Sequence, residues 1–346
     1  MSDNLKAIKD GSSLVKKERN LSVDIVRGLC IILMVLGHVG FGYYFDYYIH
    51  AFHVPVFFVI TGMFFKSNQP FLKFAVKKIK TLIVPYVLVG VISLIVWKTI
   101  NYDQWSNWAP AYHLLWDNST GLPYNGALWF LTAMFWTTLL YWLVDFAIKK
   151  PWLRAVVVCL LFVAGLFQKY LPFRLPWQMG VAPFAVLFVE AGRWLKVILP
   201  KIKFDKMRAV WKILLWLVVF GIESLLICVN GYVNVRTGTY AIFPLTIFNV
   251  VLMTVLLLKL AEKLEKMSSK VFVLATRYFS EIGKDSIIYL CFNEIIIRPL
   301  HIVFGVDAAD AEEFVIKVLI LIITMIAIRL LKILIKKTKL KKIFNV

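Results

Sequence analysis

Long apolar runs, separated by short and mostly basic connections, make up nearly the whole chain. Runs long enough to cross a bilayer fall at roughly 21–41, 47–65, 81–100, 127–148, 152–171, 177–196, 209–229, 240–260, 285–304 and 313–335. About twenty apolar residues let a helix span the hydrocarbon core, so the pattern predicts ten transmembrane helices. The polar punctuation gives the direction. Lys66, Lys73, Lys77, Lys78 and Lys80 form one cluster, and Lys149, Lys150 and Arg154 another. Further clusters occupy 193–212, 259–284 and the tail from Lys336 to Lys342. An even number of crossings places all of these on one side. Only Lys169, Arg174 and Arg236 fall in the opposite loops. The positive-inside bias makes the basic side the cytoplasm and puts both termini there. The expectation is an all-α polytopic membrane protein. It has a basic cytoplasmic segment at 1–20, a single transmembrane domain at 21–336 and a basic cytoplasmic tail at 337–346. Lys16, Lys17 and Arg19 give the first run the flank of a signal peptide. Its length and its internal Arg27 read instead as a retained first span.

Composition agrees. The 346 residues are 60% hydrophobic, with a mean hydropathy of +0.77. A net charge of +20 on a soluble chain would suggest nucleic acid. Here the cations sit between apolar runs, so the expected partner is the lipid bilayer and no nucleic acid is expected. Cys30, Cys159, Cys228 and Cys291 all fall within apolar segments and read as small buried hydrophobes, not as a disulfide framework.

Candidate chemistry begins in the first run, LSVDIVRGLCIILMVLGHVGF. Charge in hydrocarbon is costly, so Asp24, Arg27 and His38 are functional candidates there. Eleven residues at about 100° each return His38 to within roughly 20° of Arg27, about 16 Å further along the axis. Asp24, three residues before Arg27, shares that face. A neutral imidazole in such a place can take a proton from a hydroxyl, as acyl transfer to an alcohol requires. The competing reading is a hydrogen-bonded interhelical histidine. Arg27 reads as a ligand for a phosphate or amide, as the partner of Asp24, or as both. His50 and His53 open the second run, where Pro55 is expected to disturb the helix. His53 is expected near His38; a metal site is not expected, because the spacing matches no ligand motif. Lys77, Lys78 and Lys80 would suit a nucleotide diphosphate, or simply mark the cytoplasmic side. Glu190 with Arg193 and Glu294 with Arg298 read as pairs within their helices.

Two connections stand out. The stretch 101–126 is rich in Trp and Tyr and has neither Lys nor Arg. It suits sugar rings or an interfacial aromatic belt. The stretch 262–284 reads as an amphipathic segment lying on the membrane surface or covering a cytoplasmic opening. No internal repeat is visible. This weakens the alternative of a proton-coupled transporter of a small solute or glycan precursor.

Several motifs then fall in one order. Arg27, ten residues and His38 stand within DIVRGLCIILMVLGHV. They are followed by FHVPVFFVITGMFF, KKIKTLIVPY, ALWFLTAMF from Ala127 to Phe135, and Gly283, Lys284, Asp285 and Ser286. The ordered set resembles the acyltransferase-3 family of bacterial integral-membrane acyltransferases, in particular the short branch related to fucose 4-O-acetylase, without an appended esterase-like domain. Lys77 and Lys80 replace that family's Arg-x-x-Arg, Thr61 its Ser before Gly, and Asn293 a His that many relatives carry. The resemblance implies an O-acyltransferase of the bacterial plasma membrane. Acetyl-coenzyme A would be the donor, binding from the cytoplasm, and a surface glycan or its lipid-linked precursor the acceptor. It implies that Lys77 and Lys80 meet the nucleotide and that the pantetheine arm passes Arg27, which Asp24 orients. His38 would then deprotonate the acceptor or carry the acyl group, with His53, Thr61 and Trp129 as substrate-contacting residues.

Overall fold

The computed structural model describes residues 19–118, 120, 122–202, 208–307 and 313–344. The basic segment before Arg19 and residues 203–207 of the third basic cluster lie outside them, as does the end of the tail. The described chain is all-α; its single β-bridge pairs Asn234 with Thr239.

All ten apolar runs are helical, but not all are unbroken crossings. Helix α1 (Leu21–Val39) starts at Asn20, whose side chain accepts the Val23 N–H at 3.0 Å. It ends at Gly40, whose φ of 84° is the left-handed value that glycine tolerates at a helix end. The second run splits into α2 (Tyr43–His50) and α3 (Pro55–Met63), as Pro55 predicts, since proline favours the first turn of a new helix. The third run starts early, as α4 (Phe71–Lys78). It passes through a π-helical stretch at Ile79–Ile83 and continues as α5 (Val84–Ile100). Pro85 lacks the N–H that an α-helical ladder needs there, which accounts for the interruption.

Next come α6 (Ala109–Leu115), α7 (Trp129–Ala147), α8 (Pro151–Leu166), α9 (Val181–Ile198) and α10 (Ala209–Asn230). The chain finishes with α11 (Phe243–Glu265), α12 (Lys270–Lys284), α13 (Ser286–Phe304), α14 (Phe314–Lys336) and the short α15 (Lys341–Phe344). Among the described residues, seven helical stretches are long and apolar enough to cross a membrane. The other three runs are the broken α2–α3 pair, the 16-residue α8, and α9, which carries Glu190, Arg193 and Lys196.

The segment 262–284 corrects the sequence reading. Its second half is α12, which packs along α1 instead of lying apart on a surface. A Cβ on Gly28 would stand 1.9 Å from the Phe279 carbonyl oxygen, and one on Gly283 would stand 1.8 Å from that of Asp24. Only glycine at both positions lets the two backbones meet. Asp285 alone separates α12 from α13. Gly283 touches α1 at Gly28, and Glu294 touches it at His38. The two contacts advance by nearly equal steps along both helices. The α12–α13 unit therefore runs parallel to α1.

A second correction concerns Glu190 and Arg193, which do not pair with each other. Arg154 donates to Glu190 at 2.9 Å and to Asp145 at 3.3 Å, while Arg193 binds Asp145. Tyr141 and Trp194 also donate to Glu190, and Ser67 donates to Asp145 at 2.6 Å. This buried network ties α7, α8 and α9 together. The four cysteines are free, with Cys30 and Cys291 buried.

Candidate active site

His38 lies in the last turn of α1, and Glu294 projects from the middle of α13 onto it. The His38 Nδ1 stands 3.1 Å from Glu294 Oε1. The parallel packing fixed at Gly28 and Gly283 brings these levels together. Glu294 is only 3% exposed, and both its oxygens are engaged. Oε2 accepts the Ala127 backbone N–H at 2.7 Å, and Oε1 is also 3.4 Å from Arg298 Nη2. A carboxylate held this way accepts a hydrogen bond from the Nδ1–H. That sets the tautomer and leaves Nε2 as the acceptor. Asn125 holds the turn that delivers Ala127, donating to the Cys291 carbonyl at 2.7 Å. Its neighbour Tyr124 has a φ of 49°, an unfavourable value for a side chain of that size.

The imidazole faces a cavity of about 250 Å³. Its lining includes Met34 and Gly37 from α1, His50 and His53 from the second run, and Trp129 and Phe130 from α7. His53 donates from Nδ1 to the Ile49 carbonyl at 2.6 Å, and its ring lies 5.0 Å from that of His50. His50 in turn sits 3.0 Å from Asp46. Among the described residues no group of three or more His, Cys, Asp or Glu is arranged to hold a metal ion.

The connection between α10 and α11 closes one wall with Asn234, Val235 and Arg236. The Arg236 guanidinium and Glu294 converge on Gly126, where an added Cβ would stand 2.7 Å from Arg236 Nη1 and 3.2 Å from Glu294 Oε2. Burial lowers the basicity of Arg236, with Arg298 adding to the effect and Glu294 and Asp117 opposing it. A wider cavity of about 570 Å³ adjoins at the same three side chains, Arg236, Glu294 and Arg298. It is lined by the aromatic 101–126 connection, including His113 and Tyr124, and by Trp97.

Of the residues expected from the sequence, His38, His53 and Trp129 meet around the first cavity. The others lie outside its lining. On α1 the lining begins at Met34, two turns above Arg27. Asp24 is buried and engages Arg19 with both oxygens, at 2.6 and 3.2 Å, and reaches Arg27 only at 4.0 Å. Thr61 turns back to the Phe57 carbonyl at 2.8 Å. Lys77 and Lys80 are exposed on α4 and the π-helical stretch. Asn293 donates to the carbonyls of Tyr289 and Leu290 within its own helix.

The sequence reading missed Glu294 as the partner of His38. It saw only the Glu294–Arg298 pair, which exists but is the longer contact. The signal was a carboxylate in the middle of an apolar run. Arg236 had a weaker signal, as one of three cations on the aromatic side.

The arrangement is a carboxylate-held imidazole and two guanidiniums lining one cavity, large enough for a small acyl group and a hydroxyl. It suits general-base catalysis with a charged clamp for a developing oxyanion. A family model described as an acyltransferase domain matches residues 20–333. Neither the curated proteins nor the solved structures give a match. With that match running over nearly the whole chain, this multi-pass membrane protein belongs to the acyltransferase-3 family and is an acyltransferase.

Proposed function

We propose that the protein moves a short acyl group, acetyl by family default, from acyl-coenzyme A to a hydroxyl of a surface glycan or its lipid-linked precursor. The setting we propose is the bacterial plasma membrane, with the basic end of the bundle in the cytoplasm. The observation that carries this reading is the His38–Glu294 contact at the meeting of two cavities. Lys77, Lys80 and Arg27 lie toward the basic end, where a nucleotide diphosphate and the start of a pantetheine arm find cations. The aromatic cavity lies toward the opposite end, where an acceptor would arrive.

His38 Nε2 takes the proton of the acceptor hydroxyl, and the resulting imidazolium is stabilised by Glu294. The alkoxide adds to the thioester carbonyl. The tetrahedral oxyanion then collapses, breaking the C–S bond and keeping the new C–O bond. The thiolate leaves and is protonated from His38. Arg236 and Arg298 supply positive charge near the oxyanion. His53 and Trp129 shape the cavity around the acyl group, and Thr61 supports α3 from within.

The test is thiol release from acetyl-coenzyme A by purified protein in liposomes, with candidate glycan precursors added. Turnover by wild type and at least a hundredfold less by folded His38→Ala is the expected result. Equal turnover by the two proteins would sink the assignment of His38. Gradient-coupled solute uptake without any thiol release would favour a transporter instead.

A further inference from the structure

We infer that the cleft where α12, α13 and α14 meet binds the phosphate of an anionic membrane lipid; this site is separate from the His38 cavity and does not depend on the acyltransfer reading. The cleft holds about 100 Å³ and is lined by Tyr278 and Glu281 of α12, Tyr289 of α13, and Arg329 and Lys332 of α14. A water needs about 10–15 Å³ of such space, so a phosphate group fits. Three cations and two carboxylates gather there, and both carboxylates are already taken. Glu281 accepts from Arg277 at 3.1 Å, and Lys332 is paired with Asp285. Arg329 is exposed. Its charge acts through space on Glu281, Tyr278 and Tyr289. Among the described residues its guanidinium nevertheless makes no hydrogen bond and no ion pair. Its fork of five donors is therefore open to the oxygens of a phosphate.

Tyr289 points to the same ligand independently of charge. It is only 4% exposed and lines the cleft, yet among the described residues its hydroxyl has no hydrogen-bond partner. A buried hydroxyl left unpaired is costly, and a phosphate oxygen in the cleft would accept from it. The flanks of the cleft indicate what carries the phosphate. Ile326 and Ile322 stand about one and two turns from Arg329, away from the basic end, and are 55% and 50% exposed. In the other direction α14 ends seven residues on, at Lys336, about 10 Å along the axis. Arg329 thus sits at the border between an apolar face and the basic end, within reach of a headgroup by snorkelling. A phospholipid seated there lays its chain over the two isoleucines, which a soluble phosphate leaves bare. Basic pockets between helices near the cytoplasmic surface suit anionic headgroups. The seated lipid braces α14 against α12, the helix that meets α1 at Gly28 and Gly283.

The test uses the full-length protein, stripped of lipid in neutral detergent. It is titrated with phosphatidylglycerol or phosphatidylcholine of one short chain length, and with inorganic phosphate. Native mass spectrometry reads the bound lipid, and the melting temperature reads its effect. Wild type is expected to hold phosphatidylglycerol at least tenfold more tightly than phosphatidylcholine and to melt higher in its presence. The preference should shrink as salt is raised from about 0.05 to 0.5 M. Arg329→Gln breaks no ion pair, so without lipid it should melt like wild type, yet it should lose most of the preference. Arg329→Lys should retain part, and Tyr289→Phe should weaken binding severalfold. Lys339→Gln removes a cation of the basic end outside the cleft lining and should retain the preference in full. Equal binding of the two lipids, or an undiminished preference in Arg329→Gln, would overturn the inference. So would equal losses in Arg329→Gln and Lys339→Gln, which would report overall charge and not a site. Inorganic phosphate that binds as tightly as phosphatidylglycerol, and is lost in Arg329→Gln, would assign the cleft to a soluble ligand and overturn the lipid.

Discussion

Replacing Glu294 by Gln changes one atom, and the structure gives that change a large effect. The two carboxylate oxygens accept from different sides: Oε2 from the Ala127 N–H at 2.7 Å, and Oε1 from His38 Nδ1 at 3.1 Å. Gln has a single oxygen. If it faces Ala127, the amide NH₂ faces His38 and imposes the tautomer whose Nε2 carries a proton, which cannot act as a base. If it faces His38, two donors oppose each other at Ala127. The charge is lost in either case. A carboxylate at 3.1 Å from an imidazolium is worth about 5 kcal/mol at an effective dielectric constant of about 20. A neutral hydrogen bond returns about 1 kcal/mol. The transition state should therefore lose about 3–4 kcal/mol, or about 10²–10³-fold in kcat. Thiol release in liposomes, normalised to protein that elutes monodisperse in detergent, measures this. Glu294→Asp keeps the charge and should recover part of the rate. A Glu294→Gln enzyme within threefold of wild type would refute the role assigned to Glu294.

Three further outcomes follow from other contacts. Gly28→Ala places a methyl where 1.9 Å separates it from the Phe279 carbonyl oxygen; forcing α1 from α12 should cost about 1–3 kcal/mol, read as a lower melting temperature together with slower turnover. Arg154→Ala leaves Glu190 and Asp145 buried without their shared cation, and should destabilise by about 3–5 kcal/mol in a detergent melt, whereas Arg154→Ala with Glu190→Gln should recover part of the loss. Arg27→Ala should raise the KM for acyl-coenzyme A about tenfold or more with a smaller change in kcat, and Lys77→Gln should have a weaker effect that fades at high salt; unchanged KM in both variants would remove these cations from the donor path.

What the sequence made legible follows from the range over which its signals act. Helix number and type follow from local hydropathy, and Pro55 announces the break in the second run because proline acts on its own backbone. The spacing of Arg27 and His38 fixes a face of one helix. It cannot say which other helix meets that face. Glu294 therefore looked like the partner of Arg298, four residues away, until packing set it against His38. The same limit applies to α12, whose amphipathic pattern fits a surface helix as well as one packed on α1. Gly28 and Gly283 decide between them, and two distant glycines carry no pairing signal in a single sequence. Arg236 entered the site only because the α10–α11 connection folds inward.

The dyad joins the first crossing to the ninth, and that has a consequence for biogenesis. At about 5–20 residues per second, Glu294 leaves the ribosome roughly 13–50 s after His38, some 250 residues later. Throughout that interval the inserted part of the chain has the imidazole but no carboxylate to hold it. A chain arrested or cleaved before α13 accordingly carries His38 without the carboxylate that positions it.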